Sequence, residues 1–298
     1  NKHKKGELIM QTMSISNKKF KELQELPLGS TIQHKEGNIY LIKDKNKWNC
    51  SYKVVKKFYD NKSPIFGNKL LTINNLENSK IDIPELVLPQ KLVVNNDRLI
   101  GYTMDYIEGN NLKELIDDKK YDNLEMIRHL KEIGVILEKI NKLNKYKTCN
   151  FHLNDIHEAN FVVDKEKHIR VVDIDSCKIG NNIPVCAKYL TPFSQIDELP
   201  EKYKKCADTR IGYIVPDMNT DLYCYNIMIL NYLYKDNIQK LDIAEFYSYL
   251  NYLNSIGFPY ELLDCFSVLY QYNNNVNPYE LLELIPKDMG RAHHKVYE

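Results

Sequence analysis

Three oxygen-bearing side chains near the middle of the chain have types and a spacing that suit metal-assisted group transfer. Asp155 is followed five positions later by Asn160, and Asp173 comes directly after the apolar run Ile169–Val172. Asn160 precedes another apolar run, so we expect a β-hairpin that brings the three side chains together. Carboxylate and amide oxygens are ligands that Mg²⁺ prefers, and a carboxylate can also accept a proton. In the alternative interpretation, these side chains cap turns or lie in solvated loops.

The elements that would position this site change in character along the chain. Up to about residue 99, short apolar segments alternate with turns, whereas from residue 111 the hydrophobic period is helical. The predicted strands are Asn38–Ile42, Tyr52–Phe58, Lys91–Val94 and Leu99–Tyr106, and the predicted helices are Ile65–Leu76, Leu124–Leu143, Leu222–Leu233, Ile243–Leu253 and Tyr279–Ile285. We therefore expect an α+β protein whose sheet-rich part joins a helical part near residues 108–110.

Composition excludes several classes of protein. The 298 residues are 43% hydrophobic, and 41 basic against 40 acidic side chains give a net charge of +1. A disordered chain, a nucleic-acid binder or a membrane-surface protein would normally show a different balance, so we expect neither nucleic-acid nor membrane partners. No apolar run is long enough for a membrane span, and seven scattered cysteines form no C-x-x-C pair. We expect a soluble cytoplasmic protein with reduced thiols.

The central segment resembles the catalytic motifs of the protein-kinase-like superfamily. The residues from Asp155 to Asn160 match its D-x-x-x-x-N loop, and Val171–Asp175 is similar to the two apolar residues and D-F-G that follow on the next strand. His152 lies three rather than two positions before the Asp, and Leu153 occupies the position of the family's His. The superfamily includes bacterial-type Ser/Thr protein kinases and small-molecule kinases such as aminoglycoside and choline kinases.

Two strands upstream resemble the nucleotide-binding strands of kinases. Val54–Phe58 is similar to V-A-I-K, which makes Lys56 the phosphate-binding lysine in preference to Lys53; strand parity puts the two on opposite faces. Leu99–Gly109 resembles the strand and hinge around the adenine. In that resemblance Met104 is the gatekeeper, Asp105 is the acidic residue after it, and Ile107 lies among the backbone groups that bond the adenine edge.

Further landmarks follow in the family's order. Gly212–Asp217 is similar to the end of an activation segment, and Thr220–Ile227 resembles the start of a central helix, in which Asp221 would hold the catalytic-loop backbone or act as a helix N-cap. Two features depart from the pattern. Gly29 and Gly37 do not form a G-x-G-x-x-G loop, and the predicted helix 65–76 offers no Glu to the strand lysine, whose partner acid stays unassigned.

The resemblance implies a bilobal kinase-like α+β fold and a mechanism. Residues 1–27 would be an N-terminal extension, 28–108 the small β-rich lobe and 109–298 the larger helical lobe. ATP and Mg²⁺ would bind between the lobes. The implied catalytic residues are Asp155 and Lys56; the residues implied in cofactor binding are Lys56, Met104, Asp105, Ile107, Asn160 and Asp173, of which Asn160 and Asp173 would hold the metal.

The acceptor of the phosphate is open between three interpretations. His157, two positions after Asp155, is typical of small-molecule kinases, whereas the long segment from Asp175 to Asp217 and its Pro-acid end are typical of protein kinases. We favour an atypical Ser/Thr protein kinase with a protein acceptor. A small-molecule phosphotransferase and a pseudokinase that acts as a nucleotide-binding interaction module are the alternatives. Asp175 would contribute to a second metal or form a charged lip to the segment after it.

Overall fold

A six-stranded sheet, a three-stranded sheet and a set of helices make up the part of the protein that the structure describes. The computed structural model describes residues 10–26, 37–43, 52–59, 64–118, 120–147, 149–182, 216–271 and 276–287. Sheet and helices are both extensive within these residues, which agrees with the expected mixture of α and β structure. The expected turn after Lys43, the expected Gly-rich loop before Gly37 and most of the segment from 183 to 215 lie outside them.

The larger sheet has the strand order β1-β5-β6-β4-β3-β2, and the smaller sheet has the order β7-β8-β9. The strands are β1 (Thr12–Ser14), β2 (Gln24–Glu25), β3 (Gly37–Lys43), β4 (Tyr52–Phe58), β5 (Lys91–Asn95), β6 (Arg98–Asp105), β7 (Gly109–Asn111), β8 (Phe161–Asp164) and β9 (Ile169–Val171). All neighbouring strands are antiparallel except β1 and β5. The apolar segments of the sequence therefore predicted β3, β4, β5, β6 and β9 to within about two residues, and β8 was expected as the first strand of the hairpin after Asn160.

Four of the five predicted helices are present among the described residues, together with three short helices that were not predicted. They are α1 (Asn17–Glu22), α2 (Pro64–Ser79), α3 (Leu112–Asp117), α4 (Asn123–Lys147), α5 (Met218–Tyr234), α6 (Ile243–Ser255) and α7 (Tyr260–Ser267). The predicted helix Tyr279–Ile285 is wrong, because only a 3-10 turn forms at Leu281–Leu284. Pro278 and Pro286 bound this segment, which leaves too few residues for a stable helix nucleus and disfavours the helical conformation before Pro286.

The two faces of the larger sheet are covered by different elements. Val54 of β4 and Tyr102 of β6 lie on the inner face, where they pack with Ile73 of α2 in one apolar cluster. Val55 and the remaining outward apolar side chains form a second cluster with Phe20 of α1. Both faces are thus buried, which explains why β4 reads as Val54-Val55 rather than as strict alternation.

The helical part has its own core. Leu130 and Ile133 of α4, Tyr225 and Ile229 of α5, and Phe161 of β8 belong to one large cluster of buried residues. Tyr225 also donates a hydrogen bond of 2.7 Å from its hydroxyl to the Leu130 carbonyl, which fixes α5 against α4. This core carries the loop before β8 and the start of α5, both of which bear predicted site residues.

Residues that the sequence assigned to an N-terminal extension take part in the larger sheet. Thr12–Ser14 pairs with Leu92–Val94 as the parallel edge strand, and Gln24–Glu25 pairs with Tyr40–Leu41 at the opposite edge. The domain bounds at 28 and 108 stay predictions. None of the described helices has the length and apolar composition that a bilayer span requires.

Candidate active site

The register of the hairpin β8–β9 brings Asn160 next to Asp173. Phe161 lies opposite Val171, and the Val172 amide donates a hydrogen bond of 2.9 Å to the carbonyl of Asn160. Asn160 directly before β8 and Asp173 shortly after β9 therefore lie at the same end of the hairpin. The predicted hairpin is confirmed, and it joins two of the three side chains that suggested a site.

Hydrogen bonds tie the loop ahead of β8 to Asn160. The Asn160 side-chain amide donates to the Asp155 carbonyl at 2.9 Å and to Asp155 Oδ2 at 3.3 Å. His157 Nε2 lies 3.7 Å from Asp155 Oδ1, while His157 Nδ1 accepts the Ala159 N–H at 3.3 Å. Because Nδ1 accepts a hydrogen bond, the neutral ring carries its proton on Nε2, which faces Asp155. The Asp155 side chain keeps 22% of its surface exposed, so a substrate could reach it.

Asp221 holds the backbone of the same loop from α5. Its carboxylate accepts the N–H groups of Leu153 at 2.9 Å and Asn154 at 2.8 Å. The helix N-cap is Asp217, whose side chain accepts from Thr220 N, so the alternative role of Asp221 as a cap is wrong. Burial raises the pKa of Asp221 to about 7, although the two amide bonds oppose the rise. The backbone-holding role expected of Asp221 is present in the structure.

Lys56 of β4 reaches Asp173 across the inner face of the sheet. Its ammonium group donates to Asp173 Oδ1, and only 5% of the Lys56 side chain is exposed. Lys53 lies on the outer face, where it bonds Gln90 and lies 3.8 Å from Asp105 Oδ1. Side chains three positions apart on a strand point to opposite faces of the sheet, as the prediction of Lys56 over Lys53 assumed. Lys56 is thus the β4 lysine that faces the acidic end of β9.

A second lysine and a second aspartate complete a buried group of charges under the sheet. Asp175 Oδ2 accepts from Lys56 at 2.8 Å, and Asp175 Oδ1 accepts from Lys69 of α2 at 2.7 Å. The Asp175 and Lys69 side chains are 0% and 1% exposed. We call Lys56, Lys69, Asp173 and Asp175 the charged cluster. Because Asp175 is fully buried, its expected role as an exposed lip is wrong.

Electrostatics separate the two aspartates of the charged cluster. Burial alone would raise the pKa of Asp175, but the ammonium groups of Lys56 and Lys69 outweigh it and lower the pKa to about 2. Burial and the neighbouring charge of Asp175 raise the pKa of Asp173, which Lys56 only partly offsets. Asp175 is thus paired with the two lysines as a carboxylate. Asp173 has a side chain that is 37% exposed, and an added cation would stabilise its charged form more than that of Asp175.

Two of the eight described non-glycine residues with a positive φ lie on either side of this site. Asn154 has φ of 63° and Asp173 has φ of 57°, both in the left-handed region. Asn and Asp tolerate this region better than other residues with a Cβ, yet it still costs free energy. Such residues persist where their surroundings fix them, and they often mark functional sites. Here the Asp221 bond fixes Asn154, and the Lys56 bond fixes Asp173.

The three residues predicted at the hinge lie at the end of β6 and just beyond it. Met104 is buried on the same face as Lys56, in the cluster that Ile107 and Val172 also contact. Asp105 is exposed and its carboxylate lies beside Lys53, on the opposite face. Asp105 could therefore meet a ligand on the Lys56 side only through its backbone. Met104, Ile107 and Val172 form an apolar wall next to the charged cluster.

The residues predicted to hold a metal fit magnesium bound together with phosphate. Asn160 donates from its amide nitrogen to Asp155, so its amide oxygen lies on the other side of the planar group, and Asp173 supplies a partly exposed carboxylate. No group of three or more His, Cys, Asp or Glu side chains among the described residues could hold a metal ion. Mg²⁺ commonly uses one or two protein oxygens and takes its other ligands from phosphate and water. Asn160 and Asp173 meet that requirement.

Sequence reasoning missed the partners of Lys56 and the role of Lys69. The kinase pattern predicts a glutamate on α2, whereas in the structure Asp175 pairs with Lys56 and α2 supplies Lys69. One signal was available: Lys69 lies in the stripe formed by Phe66, Ile73 and Leu76, spaced by three and four residues. A lysine in an apolar helical stripe must be buried with a partner, because a lone buried charge is too costly.

Comparison with known proteins finds a similarity to a kinase over part of the chain. No family model matches the chain. The dual specificity protein kinase zakA of Dictyostelium discoideum is 31% identical over 86 residues, which is 29% of this chain and 11% of that protein. The chain thus spans about a tenth of the length of the relative it matches. This supports a relationship to kinases over part of the chain.

Proposed function

We propose that this protein is an ATP-dependent phosphotransferase with a bilobal kinase-like fold. In this proposal the larger sheet and α2 form the small lobe, and the helices from α3 onward form the large lobe. The γ-phosphate of Mg-ATP is transferred to a hydroxyl group of a protein. The partial similarity to a dual specificity kinase supports the class of reaction.

The observation that carries the proposal is the ion pair between Lys56 and Asp173. These residues are 117 positions apart, yet the Lys56 ammonium group donates directly to Asp173 Oδ1. A cation and a metal-binding carboxylate on facing elements are what a phosphate site needs, since catalysis of phosphoryl transfer depends on positioning and charge neutralisation. Asn160, joined to Asp155 and adjacent to Asp173, supports the same assignment.

Each residue has one task in the proposed reaction. Lys56 binds the α- and β-phosphates, and the apolar wall of Met104, Ile107 and Val172 contacts the adenine. Asp155 accepts the proton of the acceptor hydroxyl or orients that hydroxyl, a contribution of ~10²–10⁴ in rate. Asn160 orients Asp155 through its amide nitrogen, which leaves its oxygen for the cation.

The proposed metal requires little of the protein. Asp173 and Asn160 would hold Mg²⁺ together with phosphate, and the ion would supply charge neutralisation at the transferred group. Asp173 must then exchange its bond to Lys56 for the cation, and its partial exposure permits that exchange. Lys56 in turn becomes available to phosphate oxygens while Asp175 still binds it.

A second candidate, a small-molecule phosphotransferase, rests on His157. Its Nε2 lies 3.7 Å from Asp155 Oδ1, so a neutral ring can donate toward the catalytic carboxylate or toward a small polar acceptor. A protein kinase more often has a lysine two positions after the catalytic aspartate. We favour the protein acceptor because the 43 residues from 175 to 217 leave room for an acceptor-binding segment.

One experiment separates these functions. The protein is incubated with γ-labelled ATP and Mg²⁺, with a generic protein acceptor or with a panel of amino alcohols. We expect label on protein, and loss of that label in Asp155→Asn. Label on the small molecules would support the second candidate. Absence of label with retained Mg-ATP binding would leave a nucleotide-binding interaction module, and absence of both would refute the proposal.

A further inference from the structure

Lys69 is a buried cation whose presence the proposed reaction does not explain. It lies on the face of α2 that packs under the sheet, and its side chain is 1% exposed. Removing an ammonium group from water is strongly unfavourable unless good hydrogen bonds and an opposite charge compensate. Asp175 is an acidic partner that compensates this buried charge, so the position of its carboxylate relative to Lys69 must be fixed.

The bonds of Asp175 are divided between two elements. Its Oδ1 accepts from Lys69 at 2.7 Å, and its Oδ2 accepts from Lys56 at 2.8 Å and from the Tyr102 hydroxyl at 3.1 Å. Ser176 Oγ accepts a further bond of 2.9 Å from Lys69. Both carboxylate oxygens are thus occupied by donors, which leaves Asp175 poorly suited to bind a second metal.

We propose that Asp175 is the acid that positions Lys56, and that Lys69 fixes Asp175 in that task. This inference rests on the proposed function, in which Lys56 binds phosphate. In the kinase pattern the helix that corresponds to α2 offers an acid to the strand lysine, whereas α2 of this chain carries the cation Lys69. The acid for Lys56 lies instead in the turn after Asp173. The position of α2 is thereby linked to Lys56 through Asp175, since Lys69 anchors α2 to this turn.

The arrangement also accounts for the balance of charge during binding. The charged cluster contains two lysines and two aspartates, all of them joined by ion pairs. When Asp173 turns to a metal ion, Lys56 loses this carboxylate and keeps its bond to Asp175. Lys69 keeps Asp175 in place when Asp173 binds the cation, because the Lys69 ammonium group binds Oδ1 of Asp175. Lys69 and Asp175 are positioning residues and do not need to touch the substrate.

The test uses the full chain and three measurements on each variant. These are the thermal midpoint, the Kd for Mg-ATP, and the rate at which acetic anhydride acylates Lys56, read by mass spectrometry below the thermal midpoint. Lys57, on the outer face of β4, is the internal reference for local opening of the strand. Lys53→Met is the matched control for loss of one ammonium group from β4.

Asp175→Asn should lower the thermal midpoint, weaken Mg-ATP binding about tenfold and raise the acylation rate of Lys56 about tenfold relative to Lys57. The reason is that Lys56 loses a carboxylate oxygen that holds its ammonium group under the sheet, so that the amine reaches solvent and reagent more often. The double variant Asp175→Asn with Lys69→Met should recover the thermal midpoint, because the excess charge is gone. It should not recover Mg-ATP binding, because Lys56 still lacks its acid. Lys53→Met should leave the acylation of Lys56 unchanged.

Two outcomes would overturn the inference. Unchanged acylation of Lys56 in Asp175→Asn would mean that Asp175 does not hold this lysine. Recovery of both the midpoint and Mg-ATP binding in the double variant would mean that Asp175 serves only to neutralise Lys69. Failure of the wild-type protein to bind Mg-ATP would refute the proposed function instead, and the acylation rate of Lys56 would still decide whether Asp175 positions it.

Discussion

The charged cluster and the loop of residues 152–160 lie side by side, but they are held by different forces. In the charged cluster, ion pairs join side chains from β4, α2 and the turn after β9. In the loop, the Asp221 carboxylate binds backbone N–H groups of Leu153 and Asn154, and Asn160 binds Asp155. The cluster therefore depends on charge, and the loop depends on satisfied hydrogen bonds.

The difference matches the two tasks in the proposed reaction. A phosphate group requires fixed positive charge, which paired lysines supply in a buried environment. A proton acceptor requires a fixed position and a partly exposed carboxylate, which a rigid backbone supplies. Substitutions that remove charge should accordingly affect nucleotide binding through the cluster, whereas substitutions in the loop should affect turnover or stability.

The largest expected effect separates Asp155 from Asp173. Asp155→Asn should lower turnover ~10²–10⁴-fold and leave Mg-ATP binding near wild type, because it removes a proton acceptor but no metal ligand. Asp173→Asn should lower both turnover and the magnesium dependence of nucleotide binding. Equilibrium binding measured beside single-turnover phosphate transfer tests the pair.

Two results would contradict this division. Wild-type turnover in both variants would show that these carboxylates only cap turns, where replacement by Asn costs about 1 kcal/mol or less of stability. Equal loss of Mg-ATP binding in both variants would show that Asp155 is also part of the binding site. Either result would remove the functional contrast between the loop and the cluster.

The next effect concerns the two faces of β4. Lys56→Ala should lower turnover ~10²–10³-fold, since it removes a charge aimed at the reacting group. Lys53→Ala should stay within ~0.5 kcal/mol of wild type in stability and turn over normally, because Lys53 is on the outer face. Steady-state rates of the two variants are the measurement. The reverse ranking would mean that the phosphate site is on the outer face of the sheet.

The local elements of both regions were predictable from the sequence. The apolar residues of Tyr52–Phe58 and Ile169–Val172 predicted β4 and β9, and strand parity predicted that Lys56 and Lys53 face opposite sides. The backbone-holding task of Asp221 followed from a resemblance to kinases. These features depend on neighbours close in sequence or on an ordered motif, which a single sequence contains.

The long-range parts were not predictable. The bond from Lys69 to Asp175 joins residues 106 positions apart, and nothing in local periodicity links them. The short strand Thr12–Ser14 has no periodic signal of its own and forms only because β5 offers an edge. The wrong helix at Tyr279–Ile285 shows the opposite failure, since a helical spacing of apolar residues was present but two flanking prolines limited it.

A smaller effect tests whether hydrogen bonds alone hold the loop. Asp221→Ala should lower the free energy of unfolding by about 2–4 kcal/mol, because two buried N–H groups lose their acceptor. Asp221→Asn should cost less, since its amide oxygen can still accept one of the bonds from Leu153 or Asn154. Urea unfolding at pH 7 compares the two variants. Equal losses would mean that the negative charge of Asp221 matters more than its acceptor oxygens.

The smallest expected effect is a dependence on pH at the His152–Asp221 contact, where His152 Nδ1 lies 3.9 Å from Asp221 Oδ2. Burial lowers the pKa of His152 from 6.5 to about 4, so the folded protein keeps this ring neutral. Between those two values the unfolded chain binds more protons, and His152 therefore reduces stability as the pH falls. Burial raises the pKa of Asp221 to about 7, so Asp221 has the opposite effect and increases stability as the pH falls over the same interval.

Replacing the histidine should separate these opposed contributions. In the wild-type protein they partly cancel between pH 7 and pH 5. In His152→Gln only the contribution of Asp221 remains at this contact, so the variant should gain about 1–2 kcal/mol relative to wild type when the pH is lowered from 7 to 5. Urea unfolding of both proteins at the two pH values measures this difference. A variant that instead loses stability relative to wild type as the pH is lowered would show that His152 is protonated in the fold, in which case an ion pair to Asp221 would help to hold the loop and its contrast with the charged cluster would disappear. A difference that does not change with pH would show that folding leaves the pKa of His152 at its unfolded value.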